Sequence, residues 1–320
     1  MTNVHEDVQN YYGQQLQQTT DLKTDACCSK ADVPSFIKDI LKKIHPEVVA
    51  KYYGCGLVFP PKLEGCRVLD LGSGAGRDVY ILSSLVGAQG YVVGVDMTKE
   101  QLDVANRFID YHTKAFGFEK ANVEFRLGKI EQLTDDSGMK TNSFDVIVSN
   151  CVVNLTPDKK KVLQQVYEML KPGGEFYFSD MYADRPIPKE LHSNKILWGG
   201  GLSGALVESD LIAIALDTGF TKPYEDSTIF DNKYGALVTY VTPMTYCENE
   251  FQFDQSITLK LHDQPQYFNA ELINMLRISR YSDNFKIDPI INEKEIPDLT
   301  NQRSVNEVSN GQLSSNSSSL

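Results

Sequence analysis

Residues 67–180 alternate between short apolar segments and amphipathic segments, and this alternation constrains the fold more than any other feature of the chain. The apolar segments predict five strands, at 67–71, 90–96, 123–127, 144–149 and 175–180. Amphipathic segments predict helices at 78–86, 99–116 and 159–170. Strand-helix-strand units of this length are typical of a parallel sheet with helices on both faces, so the sequence predicts an α/β fold.

The segments on either side of this core predict further elements. Residues 31–53 have apolar side chains at helical spacing, with a break or a second helix start at Pro46. Beyond the core we expect a helix at 208–218, strand-like segments at 235–242 and 251–261, and a helix at 270–278. The predicted organisation is an N-terminal thiol-bearing segment at 1–30, a main domain at 31–224, a small α+β domain at 225–300 and a disordered Ser/Asn-rich tail at 301–320.

The charge balance excludes some classes of partner. Lys and Arg total 31 and Asp and Glu total 43, which gives a formal net charge of −12 and disfavours a surface that binds nucleic-acid phosphates. No apolar run approaches the ~20 residues of a membrane helix. Residues 1–7 are polar and acidic, unlike a signal peptide, and a cytoplasmic location is expected.

Six cysteines are present. In a large chain whose N-terminus is unlike a signal peptide, we expect them to be mostly reduced thiols. Their spacing does not match a zinc module. Small buried hydrophobic residues are the simplest interpretation, and it is retained for Cys66 and Cys247.

A glycine-rich loop follows the first predicted strand, with the sequence Asp70-Leu71-Gly72-Ser73-Gly74-Ala75-Gly76. Glycines at this place allow a sharp turn and a close approach of the backbone to a ligand. The spacing departs from the dinucleotide fingerprint, and the absence of a following Gly-Lys-Ser/Thr excludes a P-loop. Asp96 ends the second strand and can accept hydrogen bonds from both hydroxyls of a ribose, while Met97 can cover an adenine face.

Together with Lys171-Pro172-Gly173-Gly174 before the fifth strand, these motifs resemble class I S-adenosylmethionine-dependent methyltransferases. The resemblance implies a Rossmann-like class I methyltransferase domain at 31–224 with a parallel-dominated sheet. It also implies that S-adenosyl-L-methionine is the cofactor. The implied cofactor-binding residues are Tyr53, Asp70, Gly72, Gly74, Asp96, Met97 and Asn150; Asp70 and the glycines hold the methionine end and Asp96 holds the ribose.

A longer set of motifs is more specific. It comprises Tyr11-Tyr12-Gly13, Tyr52-Tyr53-Gly54-Cys55-Gly56-Leu57, Ser149-Asn150-Cys151-Val152-Val153-Asn154-Leu155, Leu197-Trp198-Gly199 and Leu202-Ser203-Gly204-Ala205-Leu206. In this order, from about residue 11 to about residue 224, these segments resemble arsenite methyltransferases. The resemblance implies methylation of trivalent arsenic in arsenic detoxification, by a monomer that uses a thiol reductant such as glutathione or thioredoxin as co-substrate.

The same resemblance assigns arsenic binding to Cys27, Cys55 and Cys151. Trivalent arsenic is soft and prefers thiolate ligands to oxygen or nitrogen ligands. The arsenic lone pair is the nucleophile, so the transfer needs alignment of the reacting atoms and no general base.

The chain departs from the family at one position, because Gly201 stands where the family has a fourth cysteine. Cys28, Cys247 or a small thiol can replace the missing ligand, or arsenic can bind the three remaining cysteines. We expect Gly201→Cys to raise the rate of the first methylation. Two other functions stay open: a methyltransferase for another metalloid or a small thiol, and a non-catalytic metalloid-binding protein.

Overall fold

A largely parallel sheet organises the part of the chain that this computed structural model describes. The described residues are 4–23, 33–54, 58–134, 137–183 and 185–220, with the backbone of 228–231, 236–239 and 244–245. The strands are β1 Arg67–Leu71, β2 Tyr91–Asp96, β3 Val123–Leu127, β4 Phe144–Asn150, β5 Leu170–Ala183, β6 Leu206–Val207, β7 Thr228–Asp231, β8 Ala236–Thr239 and β9 Met244–Thr245. The helices are α1 Val4–Asn10, α2 Ser35–Leu41, α3 Pro46–Ala50, α4 Arg77–Val86, α5 Lys99–Arg107, α6 Ile109–Ala115, α7 Lys159–Met169, α8 Lys195–Gly199 and α9 Glu208–Thr218. Among these residues no helix is both long and apolar enough to cross a bilayer.

The strand order places a binding edge in the middle of the sheet. The strands are arranged β3-β2-β1-β4-β5-β8-β7, with β6 and β9 also paired to β5. β1 pairs in parallel with both β2 and β4, so the chain winds in opposite directions from β1. In open parallel sheets ligands bind at the carboxyl ends of the strands beside such a switch point. The predicted α/β fold is therefore confirmed, and its switch point lies between β1 and β4.

Alternate residues of the central strands enter two different hydrophobic cores. Leu69 and Leu71 of β1 are fully buried in a cluster with residues of α7 and α9, whereas Val68 is fully buried in a cluster with residues of α4. Burying each such side chain contributes about 1.5–3 kcal/mol relative to exposure. The two cores fix the sheet from both faces and leave the strand ends to form a site.

The prediction of a single helix at 99–116 is wrong, because two helices, α5 and α6, occupy this range. α5 ends at Arg107, and Phe108 leaves helical geometry with a φ of −106°. The Phe108 N–H bonds to the carbonyl of Ala105, three residues back, and its ring stacks on His45 with centroids 3.7 Å apart. A contact with a distant residue therefore interrupts a sequence that is helical by pattern alone.

The fifth strand is longer than predicted. β5 runs from Leu170 to Ala183, and it includes the Lys-Pro-Gly-Gly segment expected to separate helix from strand. Its pairing with β4 is irregular between Phe144 and Val146, and Gly173 has a φ of +75°. A bulge therefore accommodates the proline and glycines at the start of the strand without ending the pairing.

Elements outside the predicted core also join this architecture. The N-terminal segment at 1–30, for which no helix was predicted, contains α1 and a π-helical turn at Tyr11–Gln15. β8 lies within the strand-like segment predicted at 235–242 and pairs antiparallel with β5. The predicted strand at 251–261, the helix at 270–278 and the tail at 301–320 lie outside the described residues. The domain boundaries stay a prediction.

His112 is a buried histidine between α6 and the neighbouring elements. It is 1% exposed and stacks on Tyr80, with ring centroids 3.6 Å apart. Its Nε2 accepts the N–H of His45 at 3.1 Å, so the ring proton lies on Nδ1 and is donated to the carbonyl of Phe108 at 2.8 Å. Burial lowers the pKa of His112 from 6.5 to about 4.

We expect His112 to make stability pH-dependent. The unfolded chain protonates this histidine below pH 6.5 and the folded chain only near pH 4, so its contribution is lost as the pH falls between these values, by up to about 3 kcal/mol. In urea unfolding at pH 7 and pH 5, His112→Phe should be less stable than wild type at pH 7, and the difference should shrink at pH 5. A constant difference would contradict a neutral buried imidazole.

Candidate functional site

The glycine-rich loop between β1 and α4 is fixed to the end of β2. The N–H groups of Gly72 and Ser73 both bond to the carbonyl of Val95, at 2.8 and 3.0 Å. The N–H of Gly74 donates to Oδ2 of Asp96 at 2.9 Å. The loop is therefore oriented by the strand that carries the predicted ribose-binding acid.

Gly72 must lack a side chain because of its neighbour across the switch point. Its φ is +71°, and a Cβ added there would lie 2.4 Å from Cγ2 of Val152. Val152 follows Cys151 directly. The glycine loop and the segment that carries Cys151 are thus in direct contact.

Asp96 is held by two backbone donors. Its Oδ1 accepts the N–H of Thr98 at 2.7 Å, and its Oδ2 accepts the N–H of Gly74. Burial raises the pKa of Asp96, and these N–H groups oppose the rise. Each carboxylate oxygen can accept more than one hydrogen bond, so the acid can still receive ligand hydroxyls.

Asp70 is a buried acid whose surroundings disfavour its charged form. It is 3% exposed, and burial, followed by the nearby carboxylates of Asp78 and Asp96, raises its pKa well above the usual range. The Arg77 guanidinium opposes this rise. A buried carboxyl of this kind favours a ligand that brings positive charge or hydrogen-bond donors.

Arg77 and its partners form a network that the sequence did not reveal. Arg77 pairs with Asp78 at 2.7 Å, and its guanidinium lies 3.1 Å from the ring centre of Tyr52. The Asn150 amide donates to Tyr52 Oη at 2.9 Å and to Asp78 Oδ2 at 3.0 Å. The network joins the glycine loop, the end of β4 and the segment before Cys55. Polar residues directly after the glycine-rich loop were its only sequence signal.

A cleft opens at this edge of the sheet, with about 970 Å3 of space when its open mouth is included. Seven of its lining residues are the predicted cofactor-binding set: Tyr53, Asp70, Gly72, Gly74, Asp96, Met97 and Asn150. Cys151 lines the same cleft. The structure therefore brings together all the described residues that the sequence assigned to the site.

Helix α1 and the π-helical turn after it cover part of the cleft, which sequence reasoning missed. His5 and Val8 of α1 and Tyr12 of the turn line the cleft. Gln9 donates to the carbonyl of Met97 at 2.7 Å, and Gln101 donates to the carbonyl of Tyr12 at 2.8 Å. Apolar or aromatic side chains recur every four residues at positions 4, 8 and 12, and this spacing was the sequence signal for a helix.

Three buried oxygen atoms on residues that line the cleft have no hydrogen-bond partner in the described part of the chain. They are Tyr53 Oη, Ser73 Oγ and Gln101 Oε1. Burial raises the pKa of Tyr53 to about 12, so its hydroxyl is neutral and able to donate. Unpartnered buried polar groups carry a free-energy cost of about 1–3 kcal/mol each unless a ligand satisfies them. The cleft is therefore suited to a polar ligand.

Cys151 lies at the carboxyl end of β4, where the sequence placed it. Its N–H donates to the carbonyl of Ser179 at 2.7 Å, and its φ of +58° is left-handed, which is uncommon for a side-chain-bearing residue. Cys151 is disulfide-bonded in this structure, which differs from the expected reduced thiol, whereas Cys66 is a buried thiol that donates to the carbonyl of Lys62 at 3.6 Å. Cys27, Cys28, Cys55 and Cys247 lie outside the described residues, although Gly54, next to Cys55, lines the cleft.

Gly201, where the resemblance places a missing cysteine, is buried just after α8. Its φ is +78°, and an added Cβ would lie 2.9 Å from the terminal methyl of Met181 and 3.9 Å from Asn154 Cβ. A cysteine at this position would therefore be conformationally strained. Among the described residues no group of three or more His, Cys, Asp or Glu side chains is arranged to hold a metal ion.

Comparisons with known proteins identify the family of the chain. A methyltransferase domain model matches residues 62–232, and a model for the arsenite methyltransferase C-terminal domain matches residues 233–318. The arsenite methyltransferase of Homo sapiens is 41% identical over 318 residues, which cover 90% of this chain and 84% of that protein. The chain belongs to the arsenite methyltransferase family.

Two further relatives support the family assignment. The arsenite methyltransferase of Aquipseudomonas alcaligenes is 57% identical over 220 residues, 69% of this chain, and this match spans 63% of its length. An arsenic(III) S-adenosylmethionine methyltransferase from Chlamydomonas reinhardtii has a solved structure with a TM-score of 0.63 and 39% identity. That similarity covers 69% of this chain and 76% of the Chlamydomonas chain.

The contact between Gly72 and Val152 predicts a large cost for adding one methyl group. Gly65 is a matched control, since its φ of +74° is close to the +71° of Gly72 but no atom lies within 4 Å of its added Cβ. We expect Gly65→Ala to cost about 1–2 kcal/mol through backbone strain and Gly72→Ala about 1–3 kcal/mol more through overpacking. Urea unfolding measures both, and equal costs would contradict the contact.

Proposed function

We propose that the chain methylates trivalent arsenic, which it binds through cysteine thiolates that include Cys151. The observation that carries the proposal is that the predicted cofactor-binding residues and Cys151 line one cleft at the switch point. Family membership favours the same activity. The chain spans only about 60% of the length of the first curated relatives, so the activity is inferred for this chain and not transferred from them.

The cleft fits S-adenosyl-L-methionine as the cofactor. In the proposed arrangement Asp96, oriented by the Gly74 N–H, holds the ribose, Met97 covers the adenine, and Asp70 and the glycine loop lie at the methionine end. The unpartnered oxygens of Tyr53, Ser73 and Gln101 can bond to its polar groups, and Asn150 borders its reactive end. When bound, the cofactor supplies an electrophilic methyl carbon that the lone pair of arsenic can attack.

The cysteines hold the substrate. Thiolates are the ligands that a soft centre such as trivalent arsenic prefers, and Cys151 projects from the edge of the sheet at which the cofactor residues converge. Cys27 and Cys55 are proposed to complete the site. Because Cys151 is disulfide-bonded here, a reductant must act before it can bind arsenic. Two equivalents of a small thiol such as glutathione, or one thioredoxin dithiol, reduce that disulfide to two cysteine thiols and are themselves oxidised to a disulfide.

The monomeric state, the cytoplasmic location and the role in arsenic detoxification stay predictions. Size-exclusion chromatography of the reduced protein tests the first of these. The two other functions considered from the sequence predict different behaviour. A binding protein without activity would bind arsenite but not the cofactor, and a methyltransferase for another metalloid or a small thiol would bind the cofactor but leave arsenite unmethylated.

The proposal is tested with purified protein, arsenite, glutathione and S-adenosylmethionine. Calorimetry should detect cofactor binding, and chromatography of the products should detect methylated arsenic. Cys151→Ser should lower product formation by about 100-fold or more with little change in cofactor affinity, because a hydroxyl is a poor ligand for soft arsenic. The buried thiol of Cys66, which does not line the cleft, provides a control, and Cys66→Ala should retain activity. Cofactor binding without arsenic methylation by the wild type would refute the proposal.

Gly201 provides a second test. We expect Gly201→Cys to raise the rate of arsenite methylation, since it adds a thiol, and to lower the free energy of unfolding by about 1–2 kcal/mol, since φ is left-handed there. Gly201→Ala is the control, with the same strain and no thiol. A rate for the cysteine variant no higher than that of the alanine variant would mean that another ligand already occupies this role.

A further inference from the structure

The turn that follows Cys151 forms one wall of the cleft. It is a 3-10 turn at Val153–Leu155, and Leu155 and Thr156 line the cleft together with Cys151. Asn154 in the middle of the turn is 2% exposed, and its side-chain amide donates to the carbonyl of Met181 at 2.6 Å. The wall is therefore attached to the end of β5.

A buried carboxylate lies at the amino end of this turn. Oδ2 of Asp180 accepts the N–H of Asn154 at 2.8 Å, and Oδ1 accepts the N–H of Met181 at 3.0 Å. Asp180 is 1% exposed, and burial raises its pKa to about 6 while the backbone N–H donors and Lys159 oppose the rise. A carboxylate buried in this way stays ionised only where it accepts strong hydrogen bonds.

A buried ammonium group lies at the carboxyl end of the same turn. Nζ of Lys159 donates to the carbonyl of Thr156 at 2.7 Å and to that of Asn154 at 3.5 Å. It is 8% exposed and lies 5.6 Å from the ring centre of Trp198. The indole N–H of Trp198 donates to the carbonyl of Leu155 at 3.0 Å, so this end of the turn is held from two sides.

The signs of the two charges match the dipole of the turn. A carboxylate beside N–H groups at the amino end and an ammonium beside carbonyls at the carboxyl end are both favourable. Hydrogen bonds to charged groups contribute about 1.5–3 kcal/mol each. Neither Asp180 nor Lys159 lines the cleft, so their contacts act on the wall and not on a ligand.

We propose that Asp180 and Lys159 are positioning residues for the proposed methyl transfer. They clamp the Val153–Leu155 turn at its two ends and so hold the backbone of Cys151 in its left-handed conformation with the cysteine on the cleft. This inference rests on the proposed function for its catalytic consequence. A displacement of about 1 Å of a reacting group can lower a rate by about 100-fold, so a rigid wall matters for the alignment of arsenic with the methyl carbon.

The clamp is tested with Lys159→Met, which retains most of the apolar stem, and Asp180→Asn, which retains one oxygen acceptor. The matched controls are Lys160→Met and Asp217→Asn. Lys160 follows Lys159 in sequence, and its exposed side chain forms an ion pair with Asp217. For each variant, kcat and KM for arsenite, the Kd for S-adenosylmethionine and the rate of alkylation of Cys151 by iodoacetamide after reduction are measured.

We expect both clamp variants to lower kcat by about 10-fold or more with the cofactor Kd unchanged within about twofold. Alkylation of Cys151 should be about threefold faster or more, because the wall opens more often. The controls should match the wild type in every measurement. Wild-type kcat and alkylation rates in the clamp variants would overturn the proposal, as would a loss of kcat explained entirely by weaker cofactor binding.

One further measurement, hydrogen exchange, keeps the outcomes separate. If neither clamp variant folds, hydrogen exchange of the wild type decides: the Asn154 amide should be protected to the same degree as amides of β4, and rapid exchange there would refute the clamp. If the wild type does not methylate arsenite, the proposed function fails. Alkylation and hydrogen exchange still test the clamp, because neither depends on arsenic chemistry.

Discussion

The contact between Gly72 and Val152 sets the geometry on which the site depends. It brings the backbone of the glycine loop against the residue next to Cys151, at the point where β1 and β4 separate. Hydrogen bonds to Val95 and Asp96 orient the loop from the other side. The loop and the segment that carries the cysteine are therefore in direct contact, without a flexible element between the two.

The sequence predicted the parts of this arrangement that local pattern determines. β1, the glycine loop, α4 and β2 follow from apolar runs and glycine chemistry, and parallel pairing then brings Asp70, Asp96 and Asn150 to one edge of the sheet. The role of Cys151 came from the family resemblance, and its place just after the fourth predicted strand brings it to the same edge. These predictions succeed because the carboxyl ends of parallel strands lie at the same edge of the sheet, so residues at those ends are close in space.

Contacts between distant segments account for what the sequence did not predict. The break at Phe108 depends on stacking against His45, and the extension of β5 depends on a bulge opposite β4. Helix α1 is short and polar, so its role over the cleft depends on partners such as Met97 and Gln101 that no local pattern identifies. The left-handed backbone of Cys151 is likewise a product of its surroundings and not of its residue type.

Among the strands that the structure describes, β3 is outermost in the sheet order, and this has a consequence for association between copies of the chain. An edge strand presents unpaired backbone groups to which another strand can add. Glu124 and Arg126 lie on this strand, form an ion pair at 2.8 Å and are each about one-third exposed. A second strand docking here would have to desolvate both charges, so this edge of the sheet resists the strand addition that leads to aggregation.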